Sequence, residues 1–181
     1  IILFLILIYK WKIFSIDGLP RREIALAFII KTLAALLLIW FYTDYYRDRH
    51  NADIFKYFDD SLIISSSFLT NPKDFFSMVF GFEINYEYLH QNYFINMNHW
   101  DSSYSSTILN ESRLVIRINA IIGLVSFKIY FIHALFFSFL SLIGFVLLIK
   151  TLKKIYPKEN FRNVFWVIIT FPSVLLFSSG I

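Results

Sequence analysis

The sequence IALAFIIKTLAALLLIWFYT, residues Ile24–Thr43, decides the fold that we expect for the rest of the chain. A helix needs about 20 mostly apolar residues to cross the roughly 30 Å of hydrocarbon in a bilayer, and this stretch is long enough. It is followed directly by the polar and aromatic segment DYYRDRHNADIFKYFDD, residues Asp44–Asp60. We therefore predict a membrane helix that delivers an acidic, aromatic segment to one surface of the bilayer.

The composition is typical of an integral membrane protein. Of the 181 residues, 57% are hydrophobic and only 17% are charged, against about 45–50% and about 25% in soluble domains. The chain contains no cysteine, which excludes disulfides and thiolate catalysis within this stretch. It also begins and ends within apolar sequence, so we expect it to be part of a longer polytopic protein.

Further apolar segments predict an all-α, polytopic transmembrane fold. Ile129–Ile149 is the clearest second span, and Val164–Leu176 begins another apolar helix that Pro172 should bend or end. Leu114–Phe127 has helical apolar spacing and fits an amphipathic helix at the membrane interface. Lys31 lies within the first span; we expect its side chain to extend toward the nearer interface, with an ion pair inside the membrane as the alternative.

The distribution of charge predicts the orientation of these helices. Lys10–Glu23 holds four cations and two acids, Lys150–Arg162 holds five cations and one acid, and Asp44–Arg117 holds six cations and ten acids. Because cytoplasmic loops are enriched in Lys and Arg, the two basic segments should be inside and the acidic segment outside. The predicted division is N-terminal membrane helices in residues 1–43, an extracytoplasmic loop with juxtamembrane helices in 44–117, and further transmembrane helices in 118–181.

The extracytoplasmic segment has two predicted helices of its own. The first runs from Asp53 to Phe68, with Asn51 as its N-cap. Its apolar stripe is formed by Ile54, Phe58, Leu62 and Leu69, and its other face is shared by Asp53, Lys56, Tyr57 and Asp60. The second helix, PKDFFSMVF, begins at Pro72 and is closed by Gly81. No period survives from Phe82 to Thr107, which predicts an ordered, aromatic-rich loop or a loop that faces a saccharide.

Two groups of residues are candidates for chemistry. Asp53 can act as a general base or as a ligand for a divalent cation, although a first-turn carboxylate also stabilises its own helix. Arg113 and Arg117 lie four residues apart on one helix face and can clamp a phosphate, with interfacial anchoring as the alternative. Asp59 and Asp60 point about 100° apart on a helix, which favours a solvated face over a carboxylate pair.

The histidines do not predict a metal site. His50, His90, His99 and Asp101 include ligand-type side chains, but none of their spacings is diagnostic of metal binding. The simpler interpretation is that these histidines lie at the surface. No glycine-rich phosphate loop, nucleophile elbow or internal repeat is present, which argues against a soluble nucleotide enzyme.

The order of these features resembles the GT-C class of polytopic glycosyltransferases, and most closely bacterial members of the Bacteroidetes type. The resemblance covers most of the chain and is carried by FIIKTLAALLLIWFYTDYY (28–46), ADIFKYFDDS (52–61), NESRLVIRINAIIGL (110–124) and FPSVLLFSSGI (171–181). In this class an Asp in the first large external loop is commonly catalytic or metal-binding, and Asp53 fits that position. The glycine-rich approach to that Asp is replaced here by Arg49, His50, Asn51 and Ala52.

The resemblance implies glycosyl transfer outside the cytoplasm, in a bacterial inner membrane, from a polyprenyl-phosphate-linked sugar. Asp53 would activate the acceptor or hold a divalent cation. Substrate would be bound by Tyr57, Asp60, His99, Trp100, Arg113 and Arg117. The competing hypotheses are a non-enzymatic membrane subunit, whose external aromatic loop docks a protein partner, and a transporter. Membrane lipids are partners in each case, and nucleic acid in none.

Overall fold

The computed structural model describes residues 1–45, 52–82, 85–100 and 112–180, and gives only the backbone for Ile54 and residues 177–180. Within these ranges the chain is helical and contains no β-strand, as predicted. The α-helices are α1 (Ile2–Lys10), α2 (Arg21–Trp40), α3 (Asp53–Thr70), α4 (Pro72–Phe80), α5 (Tyr86–Asn92), α6 (Ser112–Gly123), α7 (Tyr130–Ile155), α8 (Phe161–Thr170) and α9 (Pro172–Gly180).

Two of the described helices are long and apolar enough to cross a membrane, as judged by length and composition alone. They are α2, which a π-helical turn extends to Tyr45, and α7. They correspond to the two spans that the sequence predicts. The predicted break at Pro172 is also confirmed, because α8 ends at Thr170 and α9 begins at the proline.

The chain forms two compact units. The first contains residues 1–45 and 134–181, and the second contains residues 46–133. The second unit thus extends beyond Arg117, the end of the predicted extracytoplasmic segment, because α6 packs along α3.

The first unit is built around α2, which packs against α1 and α9. Its interior contains an aromatic cluster in which the Phe139 ring lies 4.6 Å from that of Phe4 and 5.9 Å from that of Phe28. Lys31 is fully buried, and its ammonium group lies 5.5 Å from the centre of the Phe145 ring. The expectation that Lys31 extends to an interface is therefore wrong.

The second unit is built around α3, which packs against α4 and α6. Its core contains Ile64, Phe75, Met78, Val79, Leu89, Phe94, Trp100, Ile116 and Ala120. The predicted boundaries of α4 are confirmed: Asn71 caps its N-terminus, and Gly81 ends it in the left-handed conformation. Two details of α3 differ from the prediction, because its N-cap is Ala52 and Leu69 is 88% exposed. Asn51 lies outside the described residues.

The apolar residues of the predicted interfacial helix divide between the core and the surface: Ile122 is buried and Ile118 is half-buried. Leu114, Ile121 and Val125 are exposed, whereas Ile116, Asn119, Ala120 and Gly123 are buried. Gly123 approaches α3 closely: a Cβ built on Gly123 would lie 2.9 Å from the Cβ of Ser65.

Candidate functional site

Asp53 pairs with His99 at the start of α3. One Asp53 carboxylate oxygen lies 3.1 Å from Nε2 of His99 and 3.8 Å from Nζ of Lys56. The Asp53 side chain is 63% exposed and that of His99 is 27% exposed. The two residues are 46 positions apart in sequence, so the fold of the second unit creates this pair.

The ring of His99 is held from both sides. Its Nδ1 lies 3.1 Å from the carbonyl oxygen of Asn98, while Nε2 faces Asp53. Both partners can only accept hydrogen bonds, and only the doubly protonated ring can donate from both nitrogens at once. The Tyr57 ring packs against the imidazole, with a centroid distance of 5.2 Å. The geometry thus places an imidazole in contact with an exposed carboxylate.

Asp60 fixes the backbone that carries His99. One of its oxygens accepts from the backbone N–H of Asn98 at 2.7 Å and from the Asn98 side-chain amide at 3.0 Å. The other oxygen accepts from the backbone N–H of His99 at 2.7 Å. Asp60 is completely buried. The expectation of a solvated face is therefore wrong for Asp60, because both of its oxygens are satisfied inside the unit.

Trp100 connects this pair to the two predicted phosphate-binding arginines. The guanidinium carbons of Arg113 and Arg117 lie 5.3 Å and 5.4 Å from the centre of a Trp100 ring. Nε of Arg113 donates to the carbonyl oxygen of Trp100, and Nε of Arg117 donates to that of Met78, each at 2.9 Å. These cation–π contacts and backbone hydrogen bonds hold the two guanidinium groups against Trp100, which directly follows His99 in the chain.

The positions of Asp60 and Trp100 differ from what the resemblance implies for substrate-binding residues. Trp100 is fully buried and stacks on Phe94 with a centroid distance of 4.3 Å. A fully buried indole cannot offer a face to a sugar ring, and a fully buried carboxylate cannot reach substrate. Both residues instead position their neighbours, namely His99 and the two arginines. Asp53, Tyr57 and His99 remain accessible enough to contact a ligand.

The described residues do not complete a metal site around Asp53. No group of three or more His, Cys, Asp or Glu side chains within residues 1–45, 52–82, 85–100 and 112–180 is arranged to hold a metal ion. Asp53 and His99 supply two ligand-type groups, and the Lys56 ammonium occupies the space beside them. His90 packs on Tyr86 in α5. Two residues considered from the sequence, His50 and Asp101, lie outside the described residues.

A buried Ser–His–Asn arrangement was not predicted from the sequence. Oδ1 of Asn119 accepts from Nδ1 of His133 at 2.8 Å, so Nε2 accepts from the Ser126 hydroxyl at 2.6 Å. The same order of groups activates nucleophiles in hydrolases. All three side chains are buried, however, and the Ser126 side chain is inaccessible to substrate. We assign it a structural role: it joins α6 to the first turn of α7.

A second hydrogen-bonded cluster is centred on Asp74 in α4. One Asp74 oxygen accepts from the Asn71 amide at 2.7 Å, from the Tyr93 hydroxyl at 2.9 Å and from the Tyr88 hydroxyl at 3.1 Å. The hydrogen bond to Asp74 raises the pKa of Tyr88, and burial together with the same carboxylate raises the pKa of Tyr93 to about 12. Both phenols therefore remain hydrogen-bond donors at neutral pH. The cluster borders a cavity of about 290 Å³ between α4 and α5.

No protein-family model, curated protein or solved structure matches this chain. The resemblance to GT-C enzymes therefore rests on the sequence motifs alone.

Proposed function

We propose that this chain is a membrane-embedded, glycosyltransferase-like protein that uses a polyprenyl-phosphate-linked sugar on the extracytoplasmic side of a bacterial inner membrane. The observation that carries the proposal is the exposed Asp53–His99 pair, with 3.1 Å between carboxylate and imidazole. A transfer with a phosphate leaving group needs a base and a positive charge; a carboxylate supplies the first, and an imidazole in its doubly protonated form supplies the second.

In the proposed reaction the Asp53 carboxylate takes the proton of the acceptor hydroxyl. The hydroxyl oxygen forms a bond to the anomeric carbon of the sugar. The bond between that carbon and the phosphate oxygen breaks, and its electron pair leaves with the polyprenyl phosphate. The imidazolium of His99 stabilises the negative charge that develops on the phosphate, and Asp60 positions His99 through its backbone.

Arg113 and Arg117 support a substrate that carries phosphate. Both guanidinium groups are fixed over Trp100, the residue after His99. Guanidinium is the side chain best suited to phosphate because its N–H groups match two phosphate oxygens. The exposed Leu114 and Ile121 of the same helix, with the exposed Val125 just after it, support contact with the acyl region of a bilayer, where the polyprenyl chain resides.

Contacts within the first unit support the proposed orientation in the membrane. Glu23 accepts from Arg162 at 2.9 Å and from the Trp166 indole at 2.8 Å. Nζ of Lys150 donates to the backbone carbonyl of Lys12 at 3.1 Å. The two basic segments therefore meet, as two loops on the cytoplasmic side of the membrane would do. Residues 46–133 link the C-terminal end of α2 to the N-terminal end of α7.

The decisive test is turnover of the Asp53→Asn variant in reconstituted membranes. A panel of polyprenyl-phosphate-linked sugars is supplied with mixed acceptors, and released polyprenyl phosphate is quantified because it is the common product for every sugar. We expect Asp53→Asn to lower the rate by about 100-fold or more, the usual contribution of a general base.

The matched control is Glu87→Gln, which removes another carboxylate of the second unit. Glu87 is exposed on α5 and accepts only from the nearby Gln91 side chain among the contacts described, at 2.7 Å. Its replacement should leave the rate unchanged. Equal rates in Asp53→Asn and wild-type protein would remove Asp53 from the mechanism, and no release by wild-type protein with any donor would contradict the proposed reaction.

A docking subunit is the second candidate function, and exposed aromatic residues on α5 favour it. Tyr86 and Tyr88 are both partly exposed, and aromatic side chains are enriched at protein interfaces. A photo-crosslinking residue in place of Tyr86 should then trap one discrete protein adduct in native membranes. The enzyme hypothesis predicts no such adduct at this position.

A further inference from the structure

The first unit contains a basic cavity that the proposed glycosyl transfer does not use. Its volume is about 400 Å³, within the range of about 300–1,000 Å³ typical of small-molecule sites. It is lined by Ser15, Ile16, Asp17, Lys150, Lys153, Lys154 and Pro157. Three lysines face one aspartate in this lining, so it carries a net positive charge.

The lysines belong to the last two turns of α7. Positions 150, 153 and 154 are three and four residues apart, which places them on one face of a helix. Lys150 and Lys153 also reach across to the link between α1 and α2, where they donate to the backbone carbonyls of Lys12 and Asp17. Each ammonium has three N–H groups, so one such contact leaves two for a ligand.

The opposite wall of the cavity is a tight turn. Ile16 and Leu19 form an isolated β-bridge around Gly18, whose φ is 80°. The position of a Cβ on Gly18 would be 3.7 Å from Nζ of Lys153, so the turn lies directly against the lysine cluster. The nearby Glu23 carboxylate does not neutralise this cluster, because Arg162 and Trp166 already bind it.

We infer that this cavity binds a phosphate group, either that of an anionic lipid or a soluble phosphate. Three lysines line one small, concave space beside the end of α7, a helix long and apolar enough to cross a membrane. Basic pockets at the cytoplasmic ends of membrane helices are suited to anionic lipid headgroups. The site is separate from Asp53 and His99, which belong to the second unit.

Native mass spectrometry of the purified chain in detergent tests this inference. The probes are phosphatidylglycerol, phosphatidylcholine with the same acyl chains, and inorganic phosphate. We expect wild-type protein to retain phosphatidylglycerol more tightly than phosphatidylcholine. The variant K150Q/K153Q/K154Q should lose about 100-fold in affinity for phosphatidylglycerol, which corresponds to the removal of three surface-facing charges.

The matched control is K10Q/K12Q/K158Q, which removes three lysine charges from the two basic segments without touching the lining of the cavity. It should lose less than about tenfold. The variant K150R/K153R/K154R keeps the three positive charges but replaces the lysine side chains that donate to the backbone carbonyls of Lys12 and Asp17. It should still bind phosphatidylglycerol, which would show that the glutamine variant loses the lipid because it loses charge.

The two sources of phosphate give different results. If inorganic phosphate displaces phosphatidylglycerol and binds alone, the site takes a soluble phosphate; if it does neither, the lipid headgroup is the ligand. Equal losses in the cavity variant and the control would overturn the inference, because diffuse charge would then explain the binding. No preference of wild-type protein for phosphatidylglycerol, together with no binding of inorganic phosphate, would also overturn it.

Discussion

Asp60 determines where His99 lies, although Asp60 itself does not reach the surface. Its two oxygens accept three hydrogen bonds from Asn98 and His99. A buried carboxylate is stable only when such donors replace the water it has lost. The segment that carries His99 has no helical period, so these hydrogen bonds substitute for regular secondary structure and give the Asp53–His99 pair a fixed geometry.

We expect Asp60→Asn to destabilise the second unit by about 2–3 kcal/mol, because hydrogen bonds to a charged acceptor are lost and an amide N–H₂ group then faces N–H donors. Thermal unfolding followed by circular dichroism measures the change. Asp53→Asn, on the same helix but 63% exposed, should cost less than about 1 kcal/mol. Equal stability of the two variants would show that the Asp60 hydrogen bonds do not hold this segment.

Sequence reasoning could place Asp53 and Asp60 on one helix but could not distinguish their roles. Helical spacing is a pattern among residues three or four positions apart, and it correctly predicted α3 and the second apolar span. The hydrogen-bond partners of Asp60 lie 38 and 39 positions away in a segment without a period. Burial of Asp60 therefore depends on tertiary contacts that no local pattern contains, and the same holds for Trp100.

The crossing of α3 and α6 depends on a small residue at the contact. Gly123 lies against Ser65, and a Cβ at this position would be 2.9 Å from the Ser65 Cβ and 3.0 Å from its hydroxyl oxygen. Both helices carry site residues: Asp53 and Asp60 are in α3, while Arg113 and Arg117 are in α6. The distance between α3 and α6 thus affects how far the two aspartates lie from the two arginines.

Gly123→Ala should destabilise the protein by about 1–3 kcal/mol, because the added methyl group forces α6 away from α3. Gly144→Ala is the matched control, since no atom lies within 4 Å of a Cβ built on this exposed glycine of α7. Alanine is a better helix former than glycine, so the control should not lose stability. Thermal unfolding of both variants gives the comparison, and an equal response would contradict the close approach.

The division into two units matches a difference in the chemistry that each contains. The first unit holds both candidate spans apart from the first four residues of α7, together with the two basic segments. The second unit holds the Asp53–His99 pair and the exposed apolar residues of α6. The proposed membrane orientation would account for this difference, because cytoplasmic loops are enriched in Lys and Arg.

The proposed orientation predicts which side of the membrane reacts with an impermeant thiol reagent. The chain contains no cysteine, so one cysteine introduced by Glu87→Cys or by Lys158→Cys reports only on its own position. Both positions are exposed, Glu87 on α5 and Lys158 between α7 and α8. In intact cells the reagent should label Glu87→Cys and should label Lys158→Cys only after the membrane is permeabilised. The reverse pattern would place the Asp53 site in the cytoplasm, where an extracytoplasmic polyprenyl-phosphate donor cannot reach it. Labelling of both variants in intact cells would contradict a membrane barrier between the two positions.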